Sequence, residues 1–164
     1  MSKKLNVEGE NNMEEVKETG LMIKNFNEME AAGGRSKTNV FTTITDNKVI
    51  FNLENKTDFK LNECKGELIR VKDVLIKVIE TPLEEPEVDE NGNIIKDKEY
   101  KKVCILIDDE GKSYVTGSKM FTNQMMRYIN LFGIQSIEEG LEIRIIEKDV
   151  KNSSNKALGF ELVD

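Results

Sequence analysis

The chain has 164 residues, of which 38% are hydrophobic and 34% charged, with a formal net charge of -7 and no histidine. That balance suits one folded domain plus an arm, and it is too apolar for a disordered chain. It excludes Ser-His and Cys-His catalysis and every histidine-based metal site, and two distant cysteines, Cys64 and Cys104, cannot build a four-cysteine zinc site.

Residues 1–36 read as a separate acidic N-terminal arm. Residues 1–35 hold five basic and seven acidic groups, a balance of -2. Met13 to Ala32 has partial helical spacing through Val16, Met22, Phe26 and Met29, broken at Gly20. With the joint Gly33-Gly34-Arg35-Ser36 behind it, the arm is expected to be flexible or marginally helical. A folded domain is expected over 37–164. It opens with a β-hairpin over 39–54, where Val40, Thr42 and Ile44 alternate, Asp46-Asn47 turns, and Val49, Phe51 and Leu53 alternate again.

Glu67 to Glu80 reads as a long β-branched strand with a bulge or bend near Asp73 to Leu75, stopped by Pro82 and Pro86. An acidic loop follows over 83–99, with a turn at Asn91-Gly92. Residues 84–99 carry seven acidic and two basic groups, a balance of -5, so the rest of the chain beyond arm and loop is neutral. Tyr100 to Ile107 is a second strand, Asp108 to Gly111 a turn, and Lys112 to Thr116 a third strand. Ser118 is a fitting N-cap for a helix that Gly133 ends, with Phe121, Met125, Tyr128 and Phe132 on its apolar face. Leu141, Ile143 and Ile145 mark a fourth strand. Asn152 to Asn155 turns, and Leu158, Phe160 and Leu162 mark a fifth.

From residue 66 the order is strand, strand, strand, helix, strand, strand. The expected class is therefore mainly β, an OB-fold five-stranded barrel with one helix between strands three and four. The extra hairpin is free to extend the barrel or to pair with another subunit, so homo-oligomerisation stays open.

Several chemical motifs dissolve on inspection. Gly111-Lys112-Ser113 lacks the earlier glycine of a phosphate loop, and three acidic residues precede it. Asp89-Glu90-Asn91-Gly92-Asn93 has its glycine at the wrong position for a calcium loop. Cys104 sits among Val103, Ile105 and Leu106 as a small buried hydrophobe, and Cys64 is expected nearer the surface. No convergent acid–base set is legible, so no enzyme, metal or cofactor is expected. No run reaches the roughly 20 apolar residues of a membrane span, and MSKKLNVEGENN has no apolar signal core. A cytoplasmic protein without a membrane partner is expected.

What remains is a set of aromatic and basic residues. Tyr100, Lys101 and Lys102 open the second strand, and Lys112 and Tyr114 the third. Lys148, Lys151, Asn152 and Lys156 lie in or beside the last loop, and Arg70, Lys72 and Lys77 on the first strand. Strands two and three with the flanking loops form the binding face of an OB-fold. Tyrosine rings stack bases and lysines neutralise phosphates. These positions are therefore the expected contacts to single-stranded nucleic acid, with Tyr100 and Tyr114 as stacking platforms.

The segment GKSYVTGSKMFTNQMMRYINLFG (111–133) resembles the strand-to-helix region of single-stranded DNA-binding proteins from phages and mobile elements of Gram-positive bacteria. KGELIRVKDVLI (65–76) and NKALGFEL (155–162) are similar in character. The resemblance spans roughly 39 to 162 and implies an OB-fold. It also implies sequence-independent binding and protection of single-stranded DNA during replication in a bacterial host cytoplasm, alongside replication proteins, with no catalytic residues. The chain departs from cellular relatives of that kind in having no tryptophan and no acidic tail ending in an aromatic residue. A different reading of the same charge distribution is an acidic interaction module that inhibits or recruits a host DNA-binding protein.

Overall fold

The computed structural model describes residues 36–151 and 156–163, together with the backbone of residues 22–27. The strands are β1 (Met22–Asn27), β2 (Lys37–Thr42), β3 (Phe59–Lys60), β4 (Leu68–Val88), β5 (Ile94–Asp108), β6 (Ser113–Thr116), β7 (Leu141–Asp149) and β8 (Lys156–Leu162). The helices are α1 (Asn47–Asn55), α2 (Lys119–Phe132) and the single turn α3 (Gln135–Glu138), with a 3-10 turn at Leu61–Glu63. The fold is mainly β, and the strands form one sheet. No described helix is long and apolar enough to cross a membrane.

The long strand β4 is the spine. One of its edges pairs with β5 from Val71 to Val88. Its other edge pairs first with β7, over Leu68 to Val71, and then with β2, over Leu75 to Glu80. The change of neighbour coincides with a register shift between Val71 and Asp73, close to where the sequence places a bulge. A bulge leaves backbone groups without ladder partners. Two threonines take them up. Thr42 Oγ1 donates to the Val74 carbonyl at 2.9 Å, and Thr43 Oγ1 accepts from Val74 N at 3.0 Å while donating to Asp73 Oδ1 at 2.8 Å.

Period-two alternation gives the sheet two apolar faces. On one, Val74, Ile76, Cys104 and Leu106 pack with Phe121 and Met125 of α2 and with Ile143, Ile145, Leu158 and Phe160 of β7 and β8. On the other, Val40, Leu75 and Ile105 lie with Ile44 and with Ile50 and Leu53 of α1. Cys64 belongs to the first core and is buried, contrary to its expected place near the surface. Burial pushes its thiol up to about 11.

Four expectations are corrected. The second strand of the 39–54 hairpin is instead helix α1. Asp46 caps it, accepting from Lys48 N at 2.9 Å, and Ile50 and Leu53 one turn apart reach the sheet while Val49 and Phe51 stay outside. The helical reading of Met13 to Ala32 fails over 22–27, which form β1 antiparallel to β2; the remainder of that arm lies outside the described residues. The sheet therefore begins at Met22 rather than at residue 37, with β1 covering an edge of β2 that would otherwise be unpaired. Pro82 and Pro86 do not stop β4. They stand beyond Glu80, where pairing with β2 has already ended, so no ladder donor is missing on that edge. The 83–99 loop is consequently a two-stranded arm turning at Asp89 to Asn93, where the Asp89 carboxylate accepts Asn91 N at 2.8 Å and Gly92 has φ +82. Phe132, expected in the core, is 57% exposed and stacks on Tyr128 at 4.7 Å. Ile134 and Ile137 fill the core beyond the helix end in its place.

The caps of α2 and the order of the later strands follow the expected pattern, whereas the expected closed five-stranded barrel is not seen among the described residues. Ser118 Oγ accepts from Phe121 N at 3.1 Å as the cap of α2, and Gly133 at its end has φ +83. Strands β4 to β8 pair in the order β6-β5-β4-β7-β8. Among the described residues no backbone pairing joins β6 to β8, so the sheet stays open. Side chains of α2 meet the free edge of β8 instead. The Gln124 carboxamide donates to the Phe160 carbonyl and accepts from Phe160 N at 3.1 Å, and Ser118 Oγ donates to the Leu158 carbonyl at 3.4 Å. The corresponding edge of β6 takes the parallel strand β3.

Candidate nucleic-acid interface

The twelve residues singled out in the sequence do not form one surface. Arg70 on β4 faces Glu142 on β7 by register, and their side chains meet at 3.3 Å. Lys72 Nζ donates to the carbonyls of Glu138 and Glu139, at 3.5 and 3.4 Å, closing the end of α3. Lys77 reaches Glu54 of α1 at 3.8 Å, Lys112 pairs with Glu110 at 3.3 Å, and Lys156 approaches Glu147 at 4.0 Å. Lys148 lies along Gly159, and Lys151 is exposed beyond β7. Asn152 lies outside the described residues.

Tyr114 is placed as a packing residue. Its ring stacks on Phe59 with centroids 5.3 Å apart and packs against the main core. Its hydroxyl donates to Asp108 Oδ2 at 2.8 Å. Burial, then the Asp108 carboxylate, pushes the phenol well above its ordinary range. Both faces of a stacking platform are therefore not available at Tyr114.

Tyr100 and Lys102 are brought together, and with partners the sequence did not single out. They line an open hollow of 460 Å³ with Asn39, Phe41, Val78, Lys119 and Met126. Register builds its floor: Asn39 lies opposite Val78, Val78 opposite Lys102, and Tyr100 opposite Glu80. The first and third turns of α2 supply Lys119 and Met126. The Tyr100 ring is half exposed. Lys102 Nζ donates to Asn123 Oδ1 at 2.6 Å, which aims its ammonium toward α2. Lys101, one residue away, faces the opposite side of the strand.

The charge at the hollow is positive. Glu80 is held by Lys98 at 2.7 Å, and that bond keeps the Glu80 carboxyl below and the Lys98 ammonium above their ordinary ranges. Among the described residues neither Lys102 nor Lys119 is in an ion pair. The arrangement offers a half-exposed phenol ring, an apolar floor and two ammonium groups within one concavity. The signal for Phe41 was present in the sequence, in its alternation with Val40. That for Lys119 and Met126 was not, because their relation to β2 and β5 depends on where α2 docks.

No family model, curated protein or solved structure matches this chain.

Proposed function

We propose that the chain binds single-stranded DNA without sequence preference, in the setting of phage or mobile-element replication. The observation that carries this reading is the hollow beside the middle of β5, at the foot of the two-stranded arm. Tyr100 supplies a ring against which a base stacks, Phe41 and Val78 supply the apolar floor, and Lys102 and Lys119 supply counter-charges for the backbone. The pairing order β6-β5-β4-β7-β8, with a helix between β6 and β7, supports an OB-type ancestry for the sheet. Stacking belongs to Tyr100 in this proposal and not to Tyr114, whose ring and hydroxyl are already engaged.

The test is fluorescence anisotropy of a labelled oligo-dT at two salt concentrations, with duplex of equal length alongside. Tyr100→Ala is expected to lose about 1–3 kcal/mol of binding, or roughly 5- to 150-fold in affinity. Lys102→Ala and Lys119→Ala are each expected to flatten the salt slope by about 0.7. Single-strand affinity that is indifferent to salt, or unchanged in Tyr100→Ala, sinks the proposal. The second reading, an acidic interaction module, rests on the exposed acidic arm between β4 and β5. Absence of binding to either nucleic acid at low salt favours it.

A further inference from the structure

Helix α2 has 14 residues and none of them is acidic, in a chain whose net charge is -7. Its inner side is fixed by the buried Phe121, Met125, Tyr128 and Ile129. Lys119, Asn123 and Arg127 follow one another at intervals of four, so they climb the outer side as one row. The row covers about 12 Å of helix axis. Asn123 and Arg127 are exposed.

The start of this row already belongs to the hollow. Lys119 lines it, and Lys102 Nζ donates to Asn123 Oδ1 at 2.6 Å. The Asn123 carboxamide, its oxygen engaged by Lys102, keeps N–H donors for an outside acceptor. The other flank of the helix meets β7 and β8. A Cβ on Gly159 would come within 2.9 Å of Lys148 Cε and 3.0 Å of Gln124 Oε1. The Lys148 chain therefore crosses β8 where that strand has no side chain, and it ends beside Gln124. Gln124 and Arg127 are neighbours on the helix surface, three positions apart.

Lys102, Lys119, Arg127 and Lys148 thus mark a band that leaves the hollow and crosses α2 toward β8. Among the described residues none of the four is in an ion pair. Arg70, Lys77, Lys112 and Lys156, by contrast, each face a carboxylate. Cations spaced along a band without counter-charges suit a string of phosphates, whereas a compact anion meets only one or two of them. The continuity of the band with the ring of Tyr100 favours a nucleic-acid strand over other polyanions.

We infer that α2 carries the second half of a binding track. A single strand with one base on Tyr100 continues out of the hollow and over the helix, its phosphates against Lys119, Arg127 and Lys148. The inference rests on the single-strand reading above and adds to it the course of the strand.

Anisotropy of labelled oligo-dT tests it, with lengths from about 4 to about 16 nucleotides, the span of site sizes for an OB-type module. The variants are Arg127→Ala, Lys148→Gln, which keeps most of the stem over Gly159, and the two combined. The shortest oligomer is expected to depend on Tyr100 and to be indifferent to all three. On the longest, the salt slope is expected to flatten by about 0.7 in each single variant and by about 1.4 in the double one. Lys48→Ala, an exposed cation on α1 over the opposite face of the sheet, is the control and is expected to change neither. Long oligomers that need Tyr100 but ignore Arg127→Ala and Lys148→Gln overturn the track and leave the hollow as the whole site. Equal losses at every length also overturn it, as does a Lys48→Ala effect of the same size. Absence of Tyr100-dependent binding at any length overturns the single-strand reading, and the track with it.

Discussion

Gln124 performs the work of a missing strand residue. Its carboxamide meets both backbone groups of Phe160, on the edge of β8 that no other strand covers. Gln124→Leu keeps the side-chain bulk and removes both partners. It is expected to cost about 1–3 kcal/mol, or roughly 3 to 10 °C in Tm, read by calorimetry. Asp58 is a second such residue. It accepts Ser113 N at 2.9 Å and Ser113 Oγ at 3.1 Å, and the first of these bonds does most to hold its carboxyl below the ordinary range. A depressed carboxyl adds stability that is complete above its unfolded value near 3.8 and is lost as pH falls through the lower folded value. Asp58→Asn is therefore expected to flatten the acid limb of a Tm-against-pH curve while changing its neutral plateau by a constant amount. Neither contact was legible in the sequence, since each joins residues dozens of positions apart. The Ser118 cap and the Gly92 and Gly111 turns were legible, because their chemistry is complete within four residues.

Helix α1 marks the boundary of what local patterning conveys. Val49, Phe51 and Leu53 satisfy a strand period, but Ile50 and Leu53 also satisfy a helical one, and a segment this short cannot separate them. The choice is made by a cap at Asp46 and by the lack of a place in the ladder, since β4 already occupies the inner edge of β2. Asp46→Ala is expected to cost about 0.5–2 kcal/mol. Leu53→Ala, which opens a cavity in the smaller core, is expected to cost about 2–5 kcal/mol. Chemical denaturation of both variants checks the ordering, and equal losses would count against α1 as the cover of that core. The strand β4 misled in the reverse sense. Its two prolines are ordinary stop signals, and only the knowledge that the ladder with β2 stops at Glu80 makes them harmless.

The molecule as a whole is a bent sheet covered on both faces, with an arm that touches neither core. Its strand order from residue 66 was legible because each alternating segment and each turn could be recognised singly. Its openness was not, since closure depends on how far β8 lies from β6. The same separation of arm from core gives a prediction about stability. Replacing residues 83–98 by a tight turn is expected to shift Tm by less than about 3 °C when melted at dilute concentration. A large fall would mean that the arm braces the sheet. The position of Tyr100 and Lys102 at the foot of this arm, beside α2, gathers the candidate interface at one end of the sheet rather than across strands β5 and β6.

The handover along β4 also fixes the order of events at the ribosome. β2 leaves the exit tunnel before the stretch of β4 that ends at Glu80, and 43 residues separate Lys37 from Glu80 (80 - 37 = 43). At about 5–20 residues per second the nascent β2 waits roughly two to nine seconds for its inner neighbour. Through that interval Val40 has only β1 beside it, in a pair too small to hide an apolar face. The threonines Thr42 and Thr43 arrive with it, as polar as the face is greasy, and they are the groups that later lock onto Val74. The apolar face of β2 is thus made well before the strand that covers its inner edge.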